Sequence, residues 1–229
     1  YPVPGKHGTC HQDVVATYED QSVSCGGGWH DAADVSQELV QSGETIQALL
    51  DVAGTVAATN PLLYKRLLEE ANWGLDYILR TRFSNGFRVT GFGIRRWTDN
   101  KIGNFDDEVA RVRNHSFINF QMANVEAYSA AAFRKEDSEL AWKCQDAAKE
   151  DYDFALERFR VAGLETTQPD GHVSTASLSQ YYAVAALAAA RLYALTADKK
   201  YEKDASDFGR CIMASQEDGS ANLPMKGFF

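Results

Sequence analysis

Two carboxylates three residues apart, Asp31 and Asp34, follow three consecutive glycines in the stretch CGGGWHDAADVSQ, residues 25 to 37. Such a pair serves one of two chemistries: it grips a cation, or one member takes a proton from water while the other steadies the geometry. Gly26, Gly27 and Gly28 admit backbone angles closed to other residues, so the chain can turn sharply and bring Trp29 through Asp34 close to a ligand. At the entry to a helix, this spacing turns both side chains to one side, and the helix amino terminus favours their ionised forms. A plainer reading stands beside it, in which Asp34 caps the helix and Asp31 is solvated.

The string GGGWHDAADVSQ resembles the signature of glycoside hydrolase family 9, Gly-Gly-Trp-aromatic-Asp-Ala-Gly-Asp. The resemblance implies that Asp34 is the general base that activates water, that Asp31 assists it, and that Trp29 contributes to substrate binding. Ala33 stands where the family pattern has glycine, which bears on the detailed geometry rather than the chemistry. One branch of that family carries a structural zinc, held by two cysteines and two histidines, with a Cys-His dipeptide upstream and a histidine directly before the first aspartate. Here the pattern reads Cys10-His11 and His30 beside Asp31, with Cys25 as a stand-in for the remaining cysteine. Thiolate and imidazole together suit tetrahedral Zn²⁺, and the ion would staple the opening segment to the aspartate loop. The residues alone also allow an exposed Cys10 with two loop histidines, or a Cys10–Cys25 disulfide. Cys144 and Cys211 fall within helical patterns and read as inert thiols.

The elements that must hold this stretch are helices. Apolar residues recur at helical spacing over 37–59, 61–82, 115–134, 138–160, 175–196 and 199–215, three hairpins separated by short polar breaks. Asn60 before Pro61, Asn114, and Ser174 or Thr175 are the expected caps. The helices at 115–132 and 177–195 are apolar nearly all round, whereas those at 61–82, 138–160 and 199–215 carry charge on one face. Inner and outer helices therefore alternate, and strand signals are nearly absent. The fold class read here is all-α, a toroid of helical hairpins filling residues 1–229. The resemblance implies an (α/α)6 barrel of which this chain supplies about three of six hairpins.

Two connections exceed ordinary turns, residues 83–113 and 161–174. The first holds Phe83, Phe87, Phe92, Trp97 and Phe105, which either stack on sugar rings or form a satellite core; Trp97, between Arg96 and Asp99, is the candidate sugar platform. In the family the general acid is a glutamate in the second half of the barrel, so it is expected outside these residues. Glu217 is rejected for that part, because it sits in an outer-helix pattern.

Composition narrows the partner. Thirty-two acidic against 23 basic residues give a net charge of −9, which repels phosphate backbones and anionic membrane surfaces, and 45% hydrophobic residues are enough for a core. Neutral β-glucan is the ligand that the resemblance implies, with no nucleic acid and no membrane. The most apolar stretch, residues 181–195, is interrupted by Arg191. Tyr1 reads as a processed or trimmed end, and secretion or periplasmic export is expected from the resemblance. A half-barrel would expose its inner helices, so the missing half or a second copy is expected to cover them. The alternatives are a non-catalytic carbohydrate-binding or assembly half-barrel and a helical scaffold.

Overall fold

The computed structural model describes residues 14–30, 37–93, 108–167 and 174–216. Six helices dominate it: α1 (Leu39–Val56), α2 (Pro61–Arg80), α3 (Ser116–Phe133), α4 (Ser138–Ala162), α5 (Leu178–Thr196) and α6 (Lys199–Ala214). They pair as the three expected hairpins, α1 with α2, α3 with α4 and α5 with α6. Contacts of α1 with α3 and of α3 with α5 align the odd helices as an inner row. The charged even helices lie outside it.

Burial explains the alternation. α3 sits in the middle of the arc and buries 13 of its 18 residues, because it is flanked on both sides and backed by α4. Ile118, Met122, Val125 and Phe133 join a cluster with Leu39, Ile46 and Leu75, while Phe120, Ala123 and Ala127 join Tyr152, Ala188 and Leu192. α5 is as apolar in sequence but buries only five residues, since among the described residues α3 is the one inner helix packed against it.

Capping chemistry sets most boundaries. The Asn60 side chain accepts a hydrogen bond from the Leu63 amide at 3.1 Å with Pro61 in the first turn, and Asp137 does the same for Leu140 at 3.0 Å. Two expected caps are displaced. Ser177, not Ser174 or Thr175, opens α5 through a reciprocal capping box with Gln180. At α3 the cap position is His115 rather than Asn114, and the Ser116 amide is taken by the Glu165 carboxylate at 3.0 Å. A carboxylate from the α4–α5 connection thus serves the positive end of α3.

The fold is helix-dominated as expected, and beside the helices lies a sheet for which the sequence carries almost no strand signal. β1 (Val14–Tyr18), β2 (Gln21–Ser24), β3 (Gln37–Glu38), β4 (Phe87–Phe92) and β5 (Glu108–Asn114) form one five-stranded sheet in the order β2-β1-β5-β4-β3. Only β1 and β5 run parallel, joined in the register Val14↔Glu108. Two short strands, β6 (Thr166–Thr167) and β7 (Ser174–Thr175), pair separately. The sheet has its own core of Val14, Ala16, Cys25, Phe83, Val89, Phe92 and Ala110. Phe83 and Phe92 are buried and Phe87 stacks on Tyr18 at 4.3 Å, so these three aromatics form the satellite core. Trp97 and Phe105 lie outside the described residues.

Candidate active site

The glycine stretch leaves β2 at Ser24 and runs over the carboxyl-terminal half of α2. Gly27 and Gly28 have φ of +111° and +66°, values that side-chain-bearing residues rarely adopt. Space is short as well. A Cβ on Gly28 would lie 2.5 Å from Gln37 Nε2 and 2.9 Å from Tyr77 Cδ1. Three successive carbonyls of this loop are held by side-chain donors. The Arg80 guanidinium donates to Gly26 O at 2.5 Å and also to Ser24 O, Gln37 Nε2 donates to Gly27 O, and Trp73 Nε1 donates to Gly28 O at 3.0 Å.

Trp29 completes the attachment. Its Nε1 donates to Glu70 Oε1 at 3.0 Å, and its ring lies so close to α2 that a Cβ on Gly74 would meet ring carbons at 2.4 and 2.5 Å. The tryptophan also packs against the cluster of α1 and α2. These contacts give Trp29 an anchoring part. Sequence reasoning missed Glu70, Trp73, Gly74 and Arg80, which recur along one face of α2 at offsets of 0, 3, 4 and 10. They had the look of an outer helix's solvated side, and the signal was the Trp and Gly interleaved with the charges.

The remaining expected residues divide by position. Asp31, Asp34, Trp97, Cys10 and His11 lie outside the described residues. His30 is exposed. Helix α1 begins at Leu39 with Glu38 in the cap position, four residues past Asp34, and β3 intervenes. The aspartates are therefore not in the first turn of α1, and the plainer reading of Asp34 as its cap loses its basis.

Cys25 is a free, fully buried thiol whose amide donates to Val14 O at 2.7 Å. Burial pushes its thiol up to about 12, only partly opposed by the nearby Arg80 charge. Among the described residues its neighbours are the aliphatic and aromatic residues of the sheet core, a setting that favours a neutral thiol over a zinc-bound thiolate. Among the described residues no three His, Cys, Asp or Glu side chains gather as metal ligands.

A buried ionic knot ties the sheet to the helices. Arg88, on β4 and 1% exposed, donates to Asp151 Oδ2 at 2.5 Å and to Glu126 Oε1 at 3.2 Å. Arg82, just past α2, reaches Asp151 at 2.8 Å and Glu150 at 2.9 Å. Burial, reinforced by the charge of Asp151, raises Glu126 to about 8 against the pull of both arginines. Two guanidinium groups thus face the Asp151 and Glu150 side chains, and burial favours the protonated form of Glu126. Farther along, burial acts to raise Glu165, but hydrogen bonds from Arg158 and Ser116 hold it below the usual carboxylate range.

On the inner side of the arc, Val40, Glu44, Gln47, Asp51, Gln121, Asn124 and Val184 line a cleft of about 310 Å³. Its far end is a polar belt. Tyr128 donates to Asp51 Oδ1 at 2.5 Å, Arg191 lies 4.0 Å over the Tyr128 ring, and Arg191 also donates to Gln47 and to Asn124 O. Asp51 is about 18 Å along α1 from its start, at the end away from the glycine loop. Leu187, on the same side of α5 as Val184, is 42% exposed, so the inner row is only partly covered by the described residues.

The sequence model of glycosyl hydrolase family 9 matches residues 4–224. Endoglucanase D of Acetivibrio thermocellus is 26% identical over 249 residues, covering 96% of this chain and 38% of its own length. The chain thus spans well under half the length of that relative. A metagenome-derived family 9 endoglucanase superimposes with a TM-score of 0.66 at 20% identity, over 93% of this chain and 42% of that one. The D468A endoglucanase of Alicyclobacillus acidocaldarius gives 0.65 at 19%, over 88% and 41%. At these identities the superpositions establish the shared helical-hairpin fold.

Proposed function

The chain belongs to glycosyl hydrolase family 9, and from that premise we propose that it supplies the base side of an enzyme that hydrolyses β-glucan with inversion. Asp34 takes a proton from the attacking water, and Asp31 holds that water in line. The general acid comes from a segment outside these 229 residues. An inverting pair stands about 6.5–9.5 Å apart with water between base and anomeric carbon. Trp97 is the proposed sugar platform, and Trp29 acts from behind by holding the loop.

The observation that carries this reading is the fixed glycine loop. Carbonyls 26, 27 and 28 are each held by a side-chain donor, so the backbone entering Asp31 is preorganised. A neutral polysaccharide suits a chain of net charge −9. The same reading places the protein outside the cytoplasm, where polymeric glycans are met. Among the described residues no helix is long and apolar enough to cross a membrane.

Zinc belongs to the proposal as a staple. Cys10, His11 and His30 would hold it, and its chemistry is structural, a Lewis acid that fixes ligand positions. The aliphatic surroundings of Cys25 do not fit a fourth ligand. Metal analysis of the purified protein is expected to find zinc, and less of it after His30→Ala; a metal-free protein with unchanged stability would contradict the staple.

Reducing-sugar release from a soluble β-glucan by the full-length gene product tests the base. Asp34→Asn is expected to lower kcat by about a hundredfold or more, within the range of general-base effects. Wild-type activity in that variant would remove Asp34 from the mechanism.

A further inference from the structure

We infer that Gln37, Trp73 and Arg80 are positioning residues for the aspartate pair, acting through the loop carbonyls; the inference rests on the hydrolase reading above. Gln37 carries the argument furthest. It is the first residue after the segment that holds both aspartates, and its Nε2 donates back to Gly27 O, ten residues earlier. One side chain therefore ties the two ends of the interval together. The donor is shielded, with Gln37 only 1% exposed, and the bond is part-buried, which limits competition from water.

Both ends of this tie are anchored independently. On the far side the Gln37 backbone pairs with Phe92 in the β3–β4 ladder. On the near side Trp73 takes Gly28 O and Arg80 takes Gly26 O, both from α2. Three donors from two elements thus address three consecutive carbonyls of one loop. Gly27 and Gly28 hold φ values that permit this arrangement, and a Cβ at 28 would displace Gln37 itself. Loss of one donor leaves a part-buried carbonyl without its bond and lets the base of the loop relax. A displacement of about 1 Å at a reacting group costs about a hundredfold in rate.

A role in stability alone would lower the melting temperature and leave turnover intact. Positioning predicts a different signature. In the full-length gene product acting on a soluble β-glucan, Gln37→Leu and Trp73→Phe should each lower kcat by about ten- to a hundredfold. KM should stay within about twofold, because neither side chain is offered to the sugar. The acidic limb of the kcat/KM pH profile should shift in both, since the environment of the base changes. Arg80→Lys should retain more turnover than Arg80→Met when both are assayed well below their melting points.

Trp73→Phe removes the Nε1–H donor with the five-membered part of the indole and keeps an aromatic side chain, so it decides the matter if Gln37→Leu does not fold. Turnover kept within twofold with an unshifted pH limb, in variants whose melting temperature has fallen, would overturn the inference. Asp34→Asn runs in the same series to separate the two proposals. Inactive Asp34→Asn beside fully active Gln37→Leu and Trp73→Phe sinks positioning alone, whereas fully active Asp34→Asn sinks the base assignment.

Discussion

Gly74 shows how single atoms hold the loop. In the interior of α2, replacing glycine by alanine ordinarily stabilises a helix by roughly 0.5–1 kcal/mol. Here the added methyl would sit 2.4 Å from the Trp29 ring and 2.9 Å from Ile46. Overpacking of that kind costs about 1–3 kcal/mol. Gly74→Ala should therefore lower stability in a denaturant titration, and it should lower turnover too, because Trp29 is displaced at the foot of Asp31. A gain in stability would mean that Trp29 does not rest on α2. The glycine hinge and the involvement of Trp29 in that stretch could be anticipated from the run of glycines before an aromatic, while Asp31 and Asp34 lie outside the described residues. The α2 residues beneath the hinge could not, because an Arg or Glu that grips a neighbouring loop has the same periodicity as one facing water.

Among the elements, the helices were the easier part. Their sequence boundaries agree with the structure to within a few residues, since long periodic stretches flanked by Asn60-Pro61, Asp137 and Asp198 leave little freedom. The sheet was hidden for physical reasons. Its strands are two to seven residues long, and β4 buries Arg88, which breaks the alternation that identifies a half-buried strand. The Arg88 Nη2 bonds Asp151 and Glu126, on helices distant in sequence.

The ionic knot makes a prediction at this scale. Glu126 is raised in the folded protein to about 8 from an ordinary value of 4.5, so between those values the folded state binds the extra proton. Stability from this group is thus greatest at low pH and is lost as pH rises toward 8. Glu126→Gln mimics the protonated side chain. Its melting temperature should vary less with pH between 5 and 8 than that of the parent protein, and an unchanged slope would show that Glu126 titrates normally.

At the scale of the whole molecule, the arc of hairpins brings the inner helices into a common level. Asp51, Tyr128 and Arg191 lie 12, 12 and 13 residues from the starts of α1, α3 and α5, and they meet in one belt. The glycine loop stands at the other end, where α1 begins, so that loop and the polar belt occupy opposite ends of the inner row. Family membership was legible from one short motif, while the number of hairpins in the relatives' barrel cannot be counted in a chain covering 38% of Endoglucanase D.

If the loop presents Asp34 to water on the face opposite the leaving group, the configuration at the anomeric carbon must invert. Proton NMR of the first sugar released from a β-glucan by the full-length gene product reads this directly, before mutarotation mixes the anomers. The α-anomer appearing first is the predicted result. The β-anomer appearing first would mean a covalent glycosyl-enzyme route and would contradict Asp34 as a water-activating base.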